Sequence, residues 1–118
     1  MAVHILDESK RCLQCKKPLC REGCPVNTPI PQMISMLLQG EIEDAGTMLY
    51  RNNPLSVVCS MICPVGNYCE GHCMLNRKSN LIHISAIENY ISNFYLGTKE
   101  EACEDCFNGK VAVIGGGP

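Results

Sequence analysis

The sequence predicts a mostly helical, all-α domain whose thin apolar core is helped by bound metal. Two observations carry this. Apolar residues recur at helical spacing in three stretches, and ten cysteines occur in 118 residues, a density at which disulfide or metal scaffolds are usual in short chains. Leu, Ile, Val and Phe number 29 of 118, enough to exclude a disordered chain but little for a self-sufficient core. The length suits one small domain and not two of ordinary size.

The first helix is expected after Thr28, which serves as its cap, with Pro29 at its opening. Ile30, Met33, Ile34, Leu37 and Leu38 then share one face until Gly40 stops it. A second helix runs from about Glu41 to Tyr50 with Ile42, Ala45 and Leu49 inward, and the cluster Asn52-Asn53-Pro54 ends it. The pair forms a hairpin. A third helix spans Ile84 to Leu96, with Ile84, Ile87, Ile91 and Tyr95 on its apolar face, Gly97 at its stop and Glu88 inside the stripe. A carboxylate there needs a partner, whether a basic residue at the rim or a metal. The tail Lys110-Val-Ala-Val-Ile-Gly-Gly-Gly-Pro118 has the apolar run and glycines of a strand entering a phosphate-binding turn. A lone strand in a helical domain has no sheet to join.

No basic start followed by an apolar run marks a signal peptide, so a reducing, cytoplasmic setting is expected, where clustered cysteines more often bind metal than pair as disulfides. No apolar stretch approaches the roughly 18 residues of a membrane span, and a net charge of −2 argues against a nucleic-acid surface. Neither a membrane nor a nucleic-acid partner is expected, and no catalytic acid–base pair or nucleophile is visible.

The cysteines fall into Cys12, Cys15, Cys20 and Cys24, then Cys59, Cys63, Cys69 and Cys73, then the pair Cys103 and Cys106. The first quartet, Cys-x2-Cys-x4-Cys-x3-Cys-Pro, lies two residues from the bacterial ferredoxin run, in which the cysteine before proline ligates the other cluster. Cys12, Cys15 and Cys20 therefore go to one cluster and Cys24 to a second, and the second quartet is shared between them. Within that quartet, Cys59 and Cys63, like Cys69 and Cys73, are spaced to lie on one helical face. Paired zinc knuckles fit the five-residue gap less well, and disulfides fit the compartment least. Lys10, Arg11, Lys16, Lys17 and Arg21 face no acid between them and suit an anionic cluster, or else form a solvated loop.

Arg11-Cys-Leu-Gln-Cys, Cys20-Arg-Glu-Gly-Cys-Pro-Val-Asn-Thr-Pro-Ile-Pro, Asn53-Pro-Leu-Ser-Val-Val-Cys, Cys63-Pro and Cys69-Glu-Gly-His-Cys resemble the amino-terminal domain of glutamate synthase small subunits. That domain is similar to the amino-terminal part of dihydropyrimidine dehydrogenase and of the large subunit of NADH-dependent reduced ferredoxin:NADP oxidoreductase. The resemblance implies an α-helical ferredoxin-like fold with two 4Fe-4S clusters over 1–98, an acidic linker over 99–109, and at 110–118 the truncated first strand of an FAD-binding Rossmann domain. There Gly115 and Gly117 would be the first two fingerprint glycines.

Carried over residue by residue, the resemblance implies one cluster on Cys12, Cys15, Cys20 and Cys73, and another on Cys24, Cys63, Cys69 and the non-cysteine ligand Glu88. Cys59 is left without a cluster and reads as a small buried apolar residue. Cys103 and Cys106 depart from the pattern and read as a linker pair among acidic neighbours. His4, His72 and His83 read as structural, with a hydrogen bond from His72 to a sulfur as the minor alternative. The implied function is electron transfer in a longer oxidoreductase using FAD and NAD(P)H in downstream domains. Its partner would be a catalytic subunit or domain like the glutamate synthase large subunit, or a ferredoxin-type protein. A zinc-stapled interaction domain and a redox-sensing cluster domain are the competing readings.

Overall fold

The computed structural model describes residues 4–78, 80–98 and 109–117. Six α-helices follow in order: α1 Ile5–Lys10, α2 Leu19–Glu22, α3 Ile30–Gln39, α4 Ile42–Asn52, α5 Ser56–Ile62 and α6 Ile84–Thr98, with short 3-10 turns at Val65–Asn67 and Met74–Lys78. Among the described residues no strand occurs, and the fold is all-α.

The α3–α4 hairpin forms for the expected reasons. Ile30, Met33, Ile34 and Leu37 bury one face of α3, and Gly40 closes the helix at φ +84°, a left-handed conformation that glycine adopts without steric cost. Ala45 and Leu49 are the buried stripe of α4, whose end falls at Asn53 before Pro54. Helix α6 packs on both α4 and α5 and fills the centre with Ile84, Ile87 and Ile91. Its contact with α4 is close at Gly46, where an added Cβ would stand 2.5 Å from that of Tyr95. Against α5 the helix makes polar contacts: the hydroxyls of Ser56 and Ser92 bond at 2.8 Å, and Asn89 Nδ2 donates to Ser60 Oγ at 2.9 Å.

Several expectations are corrected. Thr28 does not cap α3: Pro29 occupies that position, and the Thr28 hydroxyl instead accepts from the Cys24 thiol at 3.3 Å. Leu38 is exposed, because the stripe of α3 is narrower than five residues. Helix α6 passes through Gly97 to Thr98, since one glycine costs a helix only about 1 kcal/mol. Cys69 and Cys73 lie in turns rather than on a helical face. Residues 110–117 have no regular structure, with Val111 90% and Ile114 98% exposed, because the described residues offer the apolar run no neighbouring strand. Cys103, Cys106 and the linker up to residue 108 lie outside the described residues.

Two buried carboxylates hold the start of α6. Glu8 of α1 accepts the His83 N–H at 2.9 Å and takes a two-pronged contact from Arg11 Nη1 at 2.8 and 2.9 Å. Arg11 Nη2 also donates to the carbonyls of Asn80 and Leu81, tying the segment before α6 to α1. Glu70 accepts both the N–H and the hydroxyl of Ser85, at 3.0 and 2.8 Å. Carboxylates at a helix N-terminus satisfy free N–H donors and oppose the positive end of the helix dipole.

Burial pushes the Glu8 carboxyl up, but the His83 N–H and the Arg11 guanidinium outweigh it and hold it below its ordinary value of 4.5. A lowered carboxyl contributes stability that is complete above the unfolded value and is lost as pH falls through the folded one. Glu8→Gln is therefore expected to lower the melting temperature most at neutral pH, by an amount equivalent to about 1–3 kcal/mol for a bond to a charged group. Anaerobic melts of both proteins between pH 7 and pH 4 should show the gap closing toward acid; a gap that stays constant contradicts this role.

Candidate metal centres

The first cysteine loop bends sharply at Gln14, which stands at φ +49° between Cys12 and Cys15, a left-handed conformation uncommon for a residue with a side chain. The bend turns Cys12, Cys15 and, within the single turn of α2, Cys20 toward one space. Cys73 enters it from the far end of the second quartet, and a pocket results that is walled by Ile30, Ile34, Leu75, Ile82 and Ile84. Burial pushes the Cys12 thiol up, and the neighbouring Cys15 and Cys73 push it further. Burial, with Cys73, Cys12 and Cys15 close by, raises Cys20 to about 11. The backbone N–H groups of Gln14 and Arg21 beside Cys12 and Cys20 work the other way and favour thiolate.

A second pocket is lined by Cys24, Cys59, Cys63, Cys69 and Glu88. Cys24 reaches it from the end of the first quartet, just before a bend at Asn27, whose φ is +53° and whose Oδ1 accepts from Arg21 Nε at 3.1 Å. Burial raises Cys69 to about 12, with the Glu70 carboxylate adding to it and the Glu70 backbone N–H opposing. Cys63 is also raised, by burial first and then by Cys59, Cys24 and Glu88. Glu88 projects from the inward face of α6, is 8% exposed, and is pushed up to about 7 by burial. Among the described residues no donor bonds to its carboxylate, so the basic residue at the rim is not there.

Each quartet is thus divided between the pockets: Cys12, Cys15, Cys20 and Cys73 line one, and Cys24, Cys63, Cys69 and Glu88 line the other, with Cys59 beside them. Among the described residues no three His, Cys, Asp or Glu groups converge tightly enough for a single ion. Zinc draws four donors to about 2.0–2.3 Å of one centre; a cubane spreads its four ligands over four corners, and thiols spread around the wall of a pocket suit that chemistry. Thiols whose ionisation burial opposes also need cationic metal to become ligands.

The basic residues do not line either pocket. Lys10 pairs with Asp7 at 3.1 Å, Arg11 with Glu8, and Lys16 and Lys17 face solvent. His72 bonds through Nδ1 to the Tyr68 carbonyl at 2.6 Å. Gly115 and Gly117 have φ of +88° and +60° in the exposed tail, apart from both pockets. Sequence reasoning missed α1, α2 and the roles of Glu8, Glu70, Thr28 and Asn53, none of which belongs to a periodic pattern.

Residues 2–107 match the family model described as dihydropyrimidine dehydrogenase domain II, 4Fe-4S cluster. The chain belongs to this iron–sulfur family. It is 35% identical over 114 residues to the glutamate synthase (NADPH) small chain of Halomonas elongata and 36% identical over 114 residues to that of Escherichia coli, in each case 94% of this chain and 24% of the relative. It is 29% identical over 115 residues to the NAD-dependent dihydropyrimidine dehydrogenase subunit PreT of Salmonella typhimurium, 96% of this chain and 28% of that one. The chain therefore spans about a quarter of the length of these relatives. Among its described residues no helix is long and apolar enough to cross a membrane.

The turn that carries Cys69 and Cys73 tolerates no side chain at Gly71, where a Cβ would stand 1.8 Å from the Gly66 carbonyl oxygen, whereas nothing lies within 4 Å of a Cβ at Gly66. Gly71→Ala is expected to cut the iron bound per chain by half or more, and Gly66→Ala to leave it unchanged. Iron analysis of the two anaerobically purified variants checks this; equal iron in both would show that the turn does not set the pockets.

Proposed function

We propose that this chain is an electron-transfer domain that holds two 4Fe-4S clusters, one on Cys12, Cys15, Cys20 and Cys73 and one on Cys24, Cys63, Cys69 and Glu88. The observation that carries the reading is the division of both quartets between two pockets, each with four donors available. When bound, such clusters accept and pass on single electrons at potentials tuned by their surroundings. The chain's own residues anchor them through thiolates and one carboxylate. They also exclude water with Ile30, Ile34, Ile82 and Ile84, and the Gln14 side-chain amide donates through Nε2 to the Cys12 sulfur at 3.5 Å.

The domain extends over 1–98, is followed by an acidic linker over 99–109, and continues at 110–118 as the opening strand of an FAD-binding Rossmann domain. Left-handed φ at Gly115 and Gly117 supports a glycine-rich turn there. In the whole protein, NAD(P)H would reduce FAD by hydride transfer, and the clusters would exchange electrons with a catalytic partner subunit or domain. The names of the relatives, glutamate synthase (NADPH) small chain and dihydropyrimidine dehydrogenase subunit, support that assignment.

Anaerobically prepared protein is expected to contain about eight irons and eight sulfides per chain, as two four-iron clusters require, and to lose much of its helical circular dichroism when they are stripped. Stoichiometric zinc without sulfide would overturn the reading in favour of a zinc-stapled domain.

A further inference from the structure

The second pocket holds one donor too many. Cys24, Cys63, Cys69 and Glu88 would complete four corners, yet Cys59 lines the same space and stands near enough to Cys63 to oppose its ionisation. A cysteine that served only as a small apolar filler would have its sulfur among hydrocarbon. The Cys59 sulfur instead accepts from Asn53 Nδ2 at 3.2 Å, and Asn53 is itself pinned, its Oδ1 accepting the Leu55 N–H at 3.1 Å. Across the pocket Glu88 is more than nine-tenths buried and receives no bond from a described residue. One donor is therefore restrained on its own segment and the other is unrestrained. Iron–sulfur centres favour the softer thiolate over a carboxylate, so the position of Asn53, rather than affinity, keeps Cys59 back.

We propose that Cys59 is a reserve ligand of the second cluster, positioned to take the place of Glu88. The proposal rests on the two-cluster reading above. In the exchange Glu88 gives up its oxygen–iron bond, Cys59 forms a sulfur–iron bond, and the thiol proton passes to the released carboxylate. No electron is transferred, and the charge of the site is unchanged. The pocket can then present two ligand sets, one with an oxygen donor and one with four thiolates, and so two reduction potentials for one cluster.

The test uses the anaerobically prepared chain and its Glu88→Ala, Cys59→Ser and Glu88→Ala/Cys59→Ser variants, with iron and sulfide per chain, electron paramagnetic resonance and mass-spectrometric mapping of iodoacetamide-accessible cysteines. The resonance signal of the first cluster reports folding in every variant. Wild type and both single variants are expected to keep about eight irons, the content of two four-iron clusters, with the second cluster's signal and potential shifted in Glu88→Ala alone. Cys59 should be alkylated in wild type and protected in Glu88→Ala. The double variant should lose most of the second cluster while keeping the first.

Three results would overturn the reserve role and leave the two-cluster reading standing: a double variant that retains both clusters, loss of the second cluster in either single variant, or Cys59 alkylated equally in wild type and Glu88→Ala. Wild-type protein holding iron for one cluster only would remove the two-cluster reading and this proposal with it.

Discussion

Both thiol pockets depend on the seating of one helix. Helix α6 supplies Ile84 to the wall of the first pocket and Glu88 to the lining of the second, one turn further on. Its buried stripe of Ile84, Ile87 and Ile91 anchors it in the core, but an apolar stripe alone leaves a helix free to slide along its axis. The carboxylates at its start remove that freedom. Glu8 lies four residues before Cys12 and Glu70 directly follows Cys69, so the groups that fix the end of α6 belong to the segments that carry the cysteines. A displacement of the helix is therefore felt at both pockets, and a displacement of either cysteine segment is felt at the helix.

The two pockets are also interlocked through the chain. Cys24 leaves the first quartet to join Cys63 and Cys69, while Cys73 leaves the second to join Cys12, Cys15 and Cys20. Metal bound in either pocket closes a long loop between distant segments, which restricts the unfolded chain far more than a local knuckle would. This suits a domain whose fully buried side chains are few and are supplied mainly by α3, α4 and α6. The thiols themselves oppose the bare folded state, since burial raises Cys12, Cys20, Cys63 and Cys69. Backbone N–H groups beside Cys12, Cys20 and Cys69 offset part of that opposition.

Periodicity in the sequence was a faithful guide wherever a helix has a wet face and a dry one. The inward residues of α3, α4 and α6 follow from spacing alone, as does the inward position of Glu88, because any helix with that stripe must turn position 88 toward the core. It was a poor guide where a segment is too short to show a period. The single turn of α2 and the six residues of α1 are held by Pro18, by Arg11 and by packing, not by a pattern. Residues of capping type also misled: Thr28 has the right chemistry but stands one residue before the cap position that Pro29 occupies, and its hydroxyl accepts from the Cys24 thiol.

What the sequence by itself determined is the set of donors and the helices between them. Cysteine spacing marks which thiols sit on one short loop, and helical period marks which side chains face inward, both being local properties of the chain. Only the tertiary structure decided how the second quartet is shared between the pockets, that Cys59 stands in the second one with its sulfur held by Asn53, and that Glu8 and Glu70 clamp the start of α6. These arrangements join residues that are up to 75 positions apart. Their geometry comes from packing α6 against α4 and α5, and no local spacing encodes where a distant helix comes to rest.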